Sequence, residues 1–108
     1  MVKLFIDTSS NQQIKVGLFK DENKDLLVEP VTHKKAQVVL PMIEQLLQKH
    51  NLTFQDLTNI QVHQGPGSFT GLRVGVAIAN TLGLILKIPI NEKPVGEIIE
   101  PIYEDPTK

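Results

Sequence analysis

The stretch His63–Leu84, "HQGPGSFTGLRVGVAIANTLGL", decides how this chain is read. Gly65 and Gly67 bracket Pro66; Ser68 and Thr70 follow, and small residues then recur along an apolar run. The segment "GPGSFTG" follows a strand-like stretch and opens a helix-like one. Exposed N–H groups at a helix start can hold an anion. The spacing is neither that of a Walker loop, since no lysine follows the second glycine at the required place, nor that of a dinucleotide fingerprint. The favoured reading is a tight strand-to-helix turn in which Gly65 and Gly67 supply unusual backbone angles. The helix is expected over Thr70–Lys87, with Ser68 or Thr70 as its cap and Pro89 as its stop.

Within that helix Gly71, Gly75, Ala79 and Gly83 recur every four residues. Each interior glycine costs about 0.5–1 kcal/mol relative to alanine, so something must offset them. Four-residue spacing drifts by only about 40° per step and makes a slowly winding groove. Such a groove lets another backbone approach closely. Leu72, Val76, Ile78, Leu82 and Leu86 occupy the other faces, so the helix is apolar almost all round and should be buried on more than one side. The neighbour in the groove is either this chain's own sheet or a partner. Taking the partner, the contact residues are Leu40, Ile43, Leu47, Leu72, Gly75, Val76, Ala79 and Gly83, with Arg73 at the rim, and Gly75→Leu should weaken pairing.

Outward from this stretch, "VKLFID" is a nearly continuous apolar run and reads as a central strand buried on both faces, and "IKVGLFK" alternates as a second strand. "LLVEPV" forms a third, giving an antiparallel meander. In "AQVVLPMIEQLLQKH" the apolar spacing becomes helical, with Pro41 inside; one kinked helix is expected. "TFQD" has the Thr-x-x-acid form of a capped short turn. "NIQVHQ" is a fourth strand and "IPI" a fifth. The fold class is therefore α/β: a mixed five-stranded sheet with two long helices. Residues 93–108 read as a loosely packed, proline-rich acidic tail.

The 108 residues make one domain. With 41% hydrophobic and 21% charged residues the chain should be globular rather than disordered. Net charge is −1, the lysines are scattered and Arg73 is the sole arginine, which disfavours strong direct nucleic-acid binding. The absence of cysteine excludes disulfides, thiolate zinc sites and a cysteine nucleophile. No apolar run is long enough to span a bilayer or to act as a signal peptide, so a cytoplasmic setting is expected. His33, His50 and His63 form no His-x-x-x-His pair, so no metal is expected. "IDTSS" could bring Asp7 near a phosphate and metal, but reads more simply as a strand end with Asp7 capping the turn. No catalytic residue and no cofactor is assigned.

"FIDTSS", "AQVVLPMIEQLL" and above all "GPGSFTGLRVGVAIANTLGLILKIP" resemble the TsaB (YeaZ) family, over about residues 1–92. These are accessory subunits for threonylcarbamoyladenosine (t6A) modification of tRNA. The resemblance implies an actin-like/RNase H-like fold, of which residues 1–92 would be the first of two lobes. It implies a non-catalytic relative of TsaD, the threonylcarbamoyl-transferring subunit, whose metal-binding His-x-x-x-His is replaced here by "NEKPVGEIIEP". It also implies helix-on-helix packing against TsaD or a second copy. The chain departs from the family at Lys35, where a histidine is usual, and past Ile90. The rival readings are a small nucleotide-binding or phosphotransfer protein and a homodimeric scaffold unrelated to tRNA modification.

Overall fold

A computed structural model describes residues 1–30, 35–67 and 69–103. Strands β1 (Val2–Asp7), β2 (Gln13–Lys20) and β3 (Asn23–Pro30) form the expected antiparallel meander. Helix α1 (Lys35–Lys49) follows, then a 3₁₀ turn at Phe54–Asp56. In that turn the Thr53 N–H donates to the Asp56 carboxylate at 2.7 Å, as the Thr-x-x-acid pattern implied. Strand β4 (Asn59–Val62) lies parallel to β1, and helix α2 spans Phe69–Leu86. The sheet order is β3-β2-β1-β4.

The strands alternate. Val2, Leu4 and Ile6 of β1, Ile14, Val16 and Leu18 of β2, and Ile60 and Val62 of β4 are buried in one cluster. Against them pack Val39, Met42, Ile43, Leu46 and Leu47 of α1 and Val76 and Ala79 of α2. Both helices therefore cover the same face. Lys3, Phe5 and Asp7 on the other face of β1 are only half-buried, so β1 is not covered on both sides as its near-continuous apolar run suggested. Helix α1 runs through Pro41 as one element. Pro41 and Gln37, whose carbonyl loses its donor, are both exposed, so water can satisfy that carbonyl.

Among the described residues the sheet has four strands, not five. The "IPI" segment makes a single parallel bridge, Ile60 to Ile90. The Ile60 N–H donates to the Pro89 carbonyl at 2.9 Å and the Asn91 N–H to the Ile60 carbonyl at 2.8 Å. Asn91 then turns the chain away with φ of 51°. Its side-chain amide takes the place of the next backbone pair: Oδ1 accepts from the Val62 N–H at 2.8 Å, and Nδ2 donates to the Val62 carbonyl at 3.0 Å. The β4 edge is closed without a fifth strand.

Of the segment after residue 92, described as far as residue 103, two points are tied to the lobe. Ile99 belongs to the core, and both its backbone groups bond the Asn80 amide of α2 at 2.9 Å. The Ile102 N–H donates to the Gln64 carbonyl at 2.7 Å. Asn80→Ala leaves two backbone groups without protein partners. It is expected to cost about 1–3 kcal/mol and to raise amide exchange at Ile99 and Ile102 well before global unfolding. Unchanged protection at Ile99 would show that this segment is held by burial alone.

Candidate functional site

The strand-to-helix loop is a packing device. Gly65 has φ of +118°, and a side chain there would strike the Ile102 carbonyl. A Cβ at Gly67 would sit 2.9 Å from the Cβ of Ser9. Pro66 is exposed and Thr70 lies in the first turn of α2, so Thr70 is not its cap. The alternative cap, Ser68, falls outside the described residues. Asp7 caps its own turn: one carboxylate oxygen accepts from the Ser9 N–H at 3.0 Å and from the Ser9 hydroxyl at 2.7 Å. Among the described residues no three His, Asp or Glu side chains gather in a way that could hold a metal ion.

The small-residue ridge of α2 is occupied by its own chain. Thr8 is 1% exposed. Its hydroxyl donates to the Gly71 carbonyl at 2.5 Å and accepts from the Gly75 N–H at 3.0 Å. A Cβ on Gly75 would meet Thr8 Oγ1 at 2.5 Å and Ile6 Cγ2 at 3.3 Å. A Cβ on Gly83 would meet Ile90 Cδ1 at 2.6 Å. The glycines thus let α2 lie close against the end of β1 and against the segment after α2. Ile43, Leu47, Leu72, Val76 and Ala79, expected at a partner contact, are buried in this chain's core, as are Gly75 and Gly83 on the ridge. Of the expected contact residues only Leu40 and Arg73 are exposed.

The sheet covers the glycine side of α2, so its opposite side faces outward. There, Leu40 of α1 and Ala77, Ile78, Thr81, Leu82 and Ile85 of α2 line an almost wholly apolar groove. Leu40 is 41% exposed, Ile85 is 70% exposed, and neighbouring Leu84 is 53% exposed. Sequence reasoning missed this patch by treating the glycines as its centre. The signal was present as phase, since residues 77, 81 and 85 sit across the helix from 75, 79 and 83. A patch of bulky apolar side chains across two adjacent helices is the candidate site for association.

At the far end of α1, Asp25 of β3 accepts from Lys49 Nζ and contacts His50 Nε2, each at 2.8 Å. Lys49 first, then His50, holds the Asp25 carboxyl below its ordinary 3.8. A lowered folded-state value stabilises the fold above the unfolded value, and that contribution is lost as pH falls through the folded one. Asp25→Asn should therefore lower the melting temperature slightly at neutral pH and change it little at the acid end, so that the acid limb flattens. Melting temperatures from about pH 2 to 7 test this. Parallel acid limbs would deny the cluster any role in acid unfolding.

The sequence of residues 29–92 matches the family model described as "TsaD: tRNA N6-adenosine threonylcarbamoyltransferase". The tRNA threonylcarbamoyladenosine biosynthesis protein TsaB of Bacillus subtilis is 39% identical over 94 residues, covering 84% of this chain and 40% of that protein. The TsaB of Buchnera aphidicola subsp. Schizaphis graminum is 38% identical over 87 residues, covering 81% and 41%. The solved structure of YeaZ from Pseudomonas aeruginosa superposes with a TM-score of 0.78 at 28% identity, covering 82% of this chain and 41% of that one. The chain spans about two-fifths of the length of the curated relatives it matches.

Proposed function

The chain belongs to the TsaB family of tRNA threonylcarbamoyladenosine biosynthesis proteins, and from that premise we propose that it is a non-catalytic subunit that docks on a TsaD-like threonylcarbamoyltransferase. The observation that carries this reading is the outward apolar face of α1 and α2, with Leu40, Leu84 and Ile85 exposed in the isolated chain. The region matched by the transferase model, residues 29–92, contains both helices. A transferase with the same helix pair offers a like surface, and two such apolar faces bury each other by helix-on-helix packing.

The lobe is taken as actin-like/RNase H-like, with residues 1–92 carrying the docking face and Ile99 bonded to Asn80 of α2. No chemistry is assigned to Asp7, whose carboxylate serves its turn. Arg73 lies exposed on α2 and is retained as a rim contact. A homodimer through the same face is the competing occupant, because a second copy carries the same groove.

Co-expression with the TsaD-like protein of the same cell, followed by sizing with light scattering, tests the proposal. A heterodimer is expected, and any homodimer of this chain should dissolve when the transferase is added. A chain that elutes unaccompanied, or as a dimer indifferent to the transferase, refutes it.

A further inference from the structure

The sheet face away from the helices carries a second surface that helix docking does not use. Cross-strand register sets Lys3, Phe19 and Lys24 side by side on β1, β2 and β3. The next row is Phe5, Gly17 and Leu26, and the next Asp7, Lys15 and Val28. The rings of Phe5 and Phe19 lie 6.3 Å apart and nearly parallel, at 10°. The ammonium groups of Lys3 and Lys24 stand 5.3 and 5.8 Å from the Phe19 ring centre. Lys24 and Leu26 are exposed, and Lys3, Phe5, Lys15 and Phe19 are half-buried. Alongside Phe5 a polar trough of about 380 Å³ is lined by Lys3, Asn59, Gln61, His63 and Gln64.

We propose that this face is a low-affinity platform for single-stranded nucleic acid, with bases stacked on Phe5 and Phe19, phosphates held by Lys3, Lys15 and Lys24, and base edges bonded by the amides of the trough. Two stacked aromatic rings on the central strands of a four-stranded sheet, with the Lys3 and Lys24 ammonium groups over one of them, offer an unpaired strand a π-face once the lysines move to its phosphates, and charge along its backbone. Of the bordering acids, Asp7 is bonded by Ser9 and Asp21 lies 3.9 Å from the terminal amine. Glu92 lines the trough. Among the described residues the three lysines make no ion pair with a carboxylate. A second copy on this face would set three lysines against three lysines, a like-charge opposition that disfavours it. The overall charge of −1 argued against tight nucleic-acid binding, and this platform is weak. What whole-chain counting could not show is that strand pairing gathers these three lysines on one surface.

The test is fluorescence polarisation of the whole chain with labelled oligouridine and oligoadenosine octamers and with an RNA duplex of equal length. Saturable binding of the single strands is expected at about 0.1 mM or below in about 50 mM salt. With three phosphate contacts the logarithmic salt slope should be about −2, or roughly a 16-fold loss on a fourfold rise in salt. Phe19→Ala should weaken binding about tenfold. The triple variant Lys3→Gln, Lys15→Gln, Lys24→Gln should abolish most of the salt dependence while remaining folded at the assay temperature by circular dichroism, which keeps the test valid if Phe19→Ala loosens the sheet. Ile85→Lys on the helix face should leave oligonucleotide binding intact, whether or not the chain docks on a transferase. No saturable binding, equal binding of duplex, equal binding by the triple variant, or loss on Ile85→Lys would each overturn the proposal.

Discussion

Gly75→Leu is expected to destabilise the chain itself rather than merely to weaken its pairing with a partner. A leucine at 75 points into Thr8 and Ile6, where a single Cβ already comes within 2.5 Å of the Thr8 hydroxyl oxygen. Overpacking of this kind costs about 1–3 kcal/mol. Pushing Thr8 away also strips its buried hydroxyl of both partners, at about 1–3 kcal/mol, while the Gly71 carbonyl and the Gly75 N–H still face each other across one turn of α2. The improved helix propensity returns only about 0.5–1 kcal/mol. A net loss of about 3 kcal/mol would take a large share of the roughly 5–15 kcal/mol that stabilises a typical domain. For a chain of this length it corresponds to a fall in melting temperature of roughly 12–24 °C.

A double-mutant cycle isolates the cause. Gly75→Ala alone and Thr8→Ala alone should each destabilise, the first by collision and the second by loss of the hydroxyl bridge. Together they should cost less than their sum by about 1–2 kcal/mol, because removing Oγ1 makes the room that the new methyl needs. Strict additivity in thermal or urea melts would mean that α2 shifts away from β1 instead, and that the close approach is not what the glycine secures.

The ridge also shows where sequence reading succeeds and where it stops. Four-residue recurrence of Gly71, Gly75, Ala79 and Gly83 did report a close backbone approach. It could not report whose backbone, because periodicity describes a helix surface and is silent on what lies across from it. The hydroxyl that fills the groove comes from Thr8, more than 60 residues earlier, in a turn whose local pattern is that of any strand end. Asn91 and Asn80 were illegible for a related reason. Each replaces a missing backbone pair with its side-chain amide, and that role depends on the partner's edge being open in space. The three-strand meander, the two helices and the short capped turn were legible because their signals are local: alternation, a 3.6-residue period and a Thr-x-x-acid spacing. The fifth strand failed on a local detail of the same kind. Asn91 takes a left-handed backbone, which asparagine tolerates and which ends pairing after one bridge.

On the docking reading proposed above, with the glycine side assigned to the sheet, the contact falls on the bulky side, where Ile85 is the most exposed side chain. Ile85→Lys should weaken association with the transferase by about 30-fold or more while leaving the isolated chain as stable as before. Ile85 is 70% exposed, so the free chain gives up almost no buried area. A cation in the last turn of α2 also suits the negative pole of the helix. In the complex, burying an isoleucine of this size stabilises by about 1.5–3 kcal/mol. The lysine forfeits that contribution and brings a charge that must be desolvated or steered out of the contact. Adding Leu40→Lys on the facing helix places a second ammonium across the same groove and should remove measurable association, since neither charge can then escape without lodging against the other. Dissociation constants by titration calorimetry, with melting temperatures of each free variant, separate the two effects. Binding within threefold of wild type for the double variant would place the transferase on some other surface, and the outward groove of α1 and α2 would lose its assigned role.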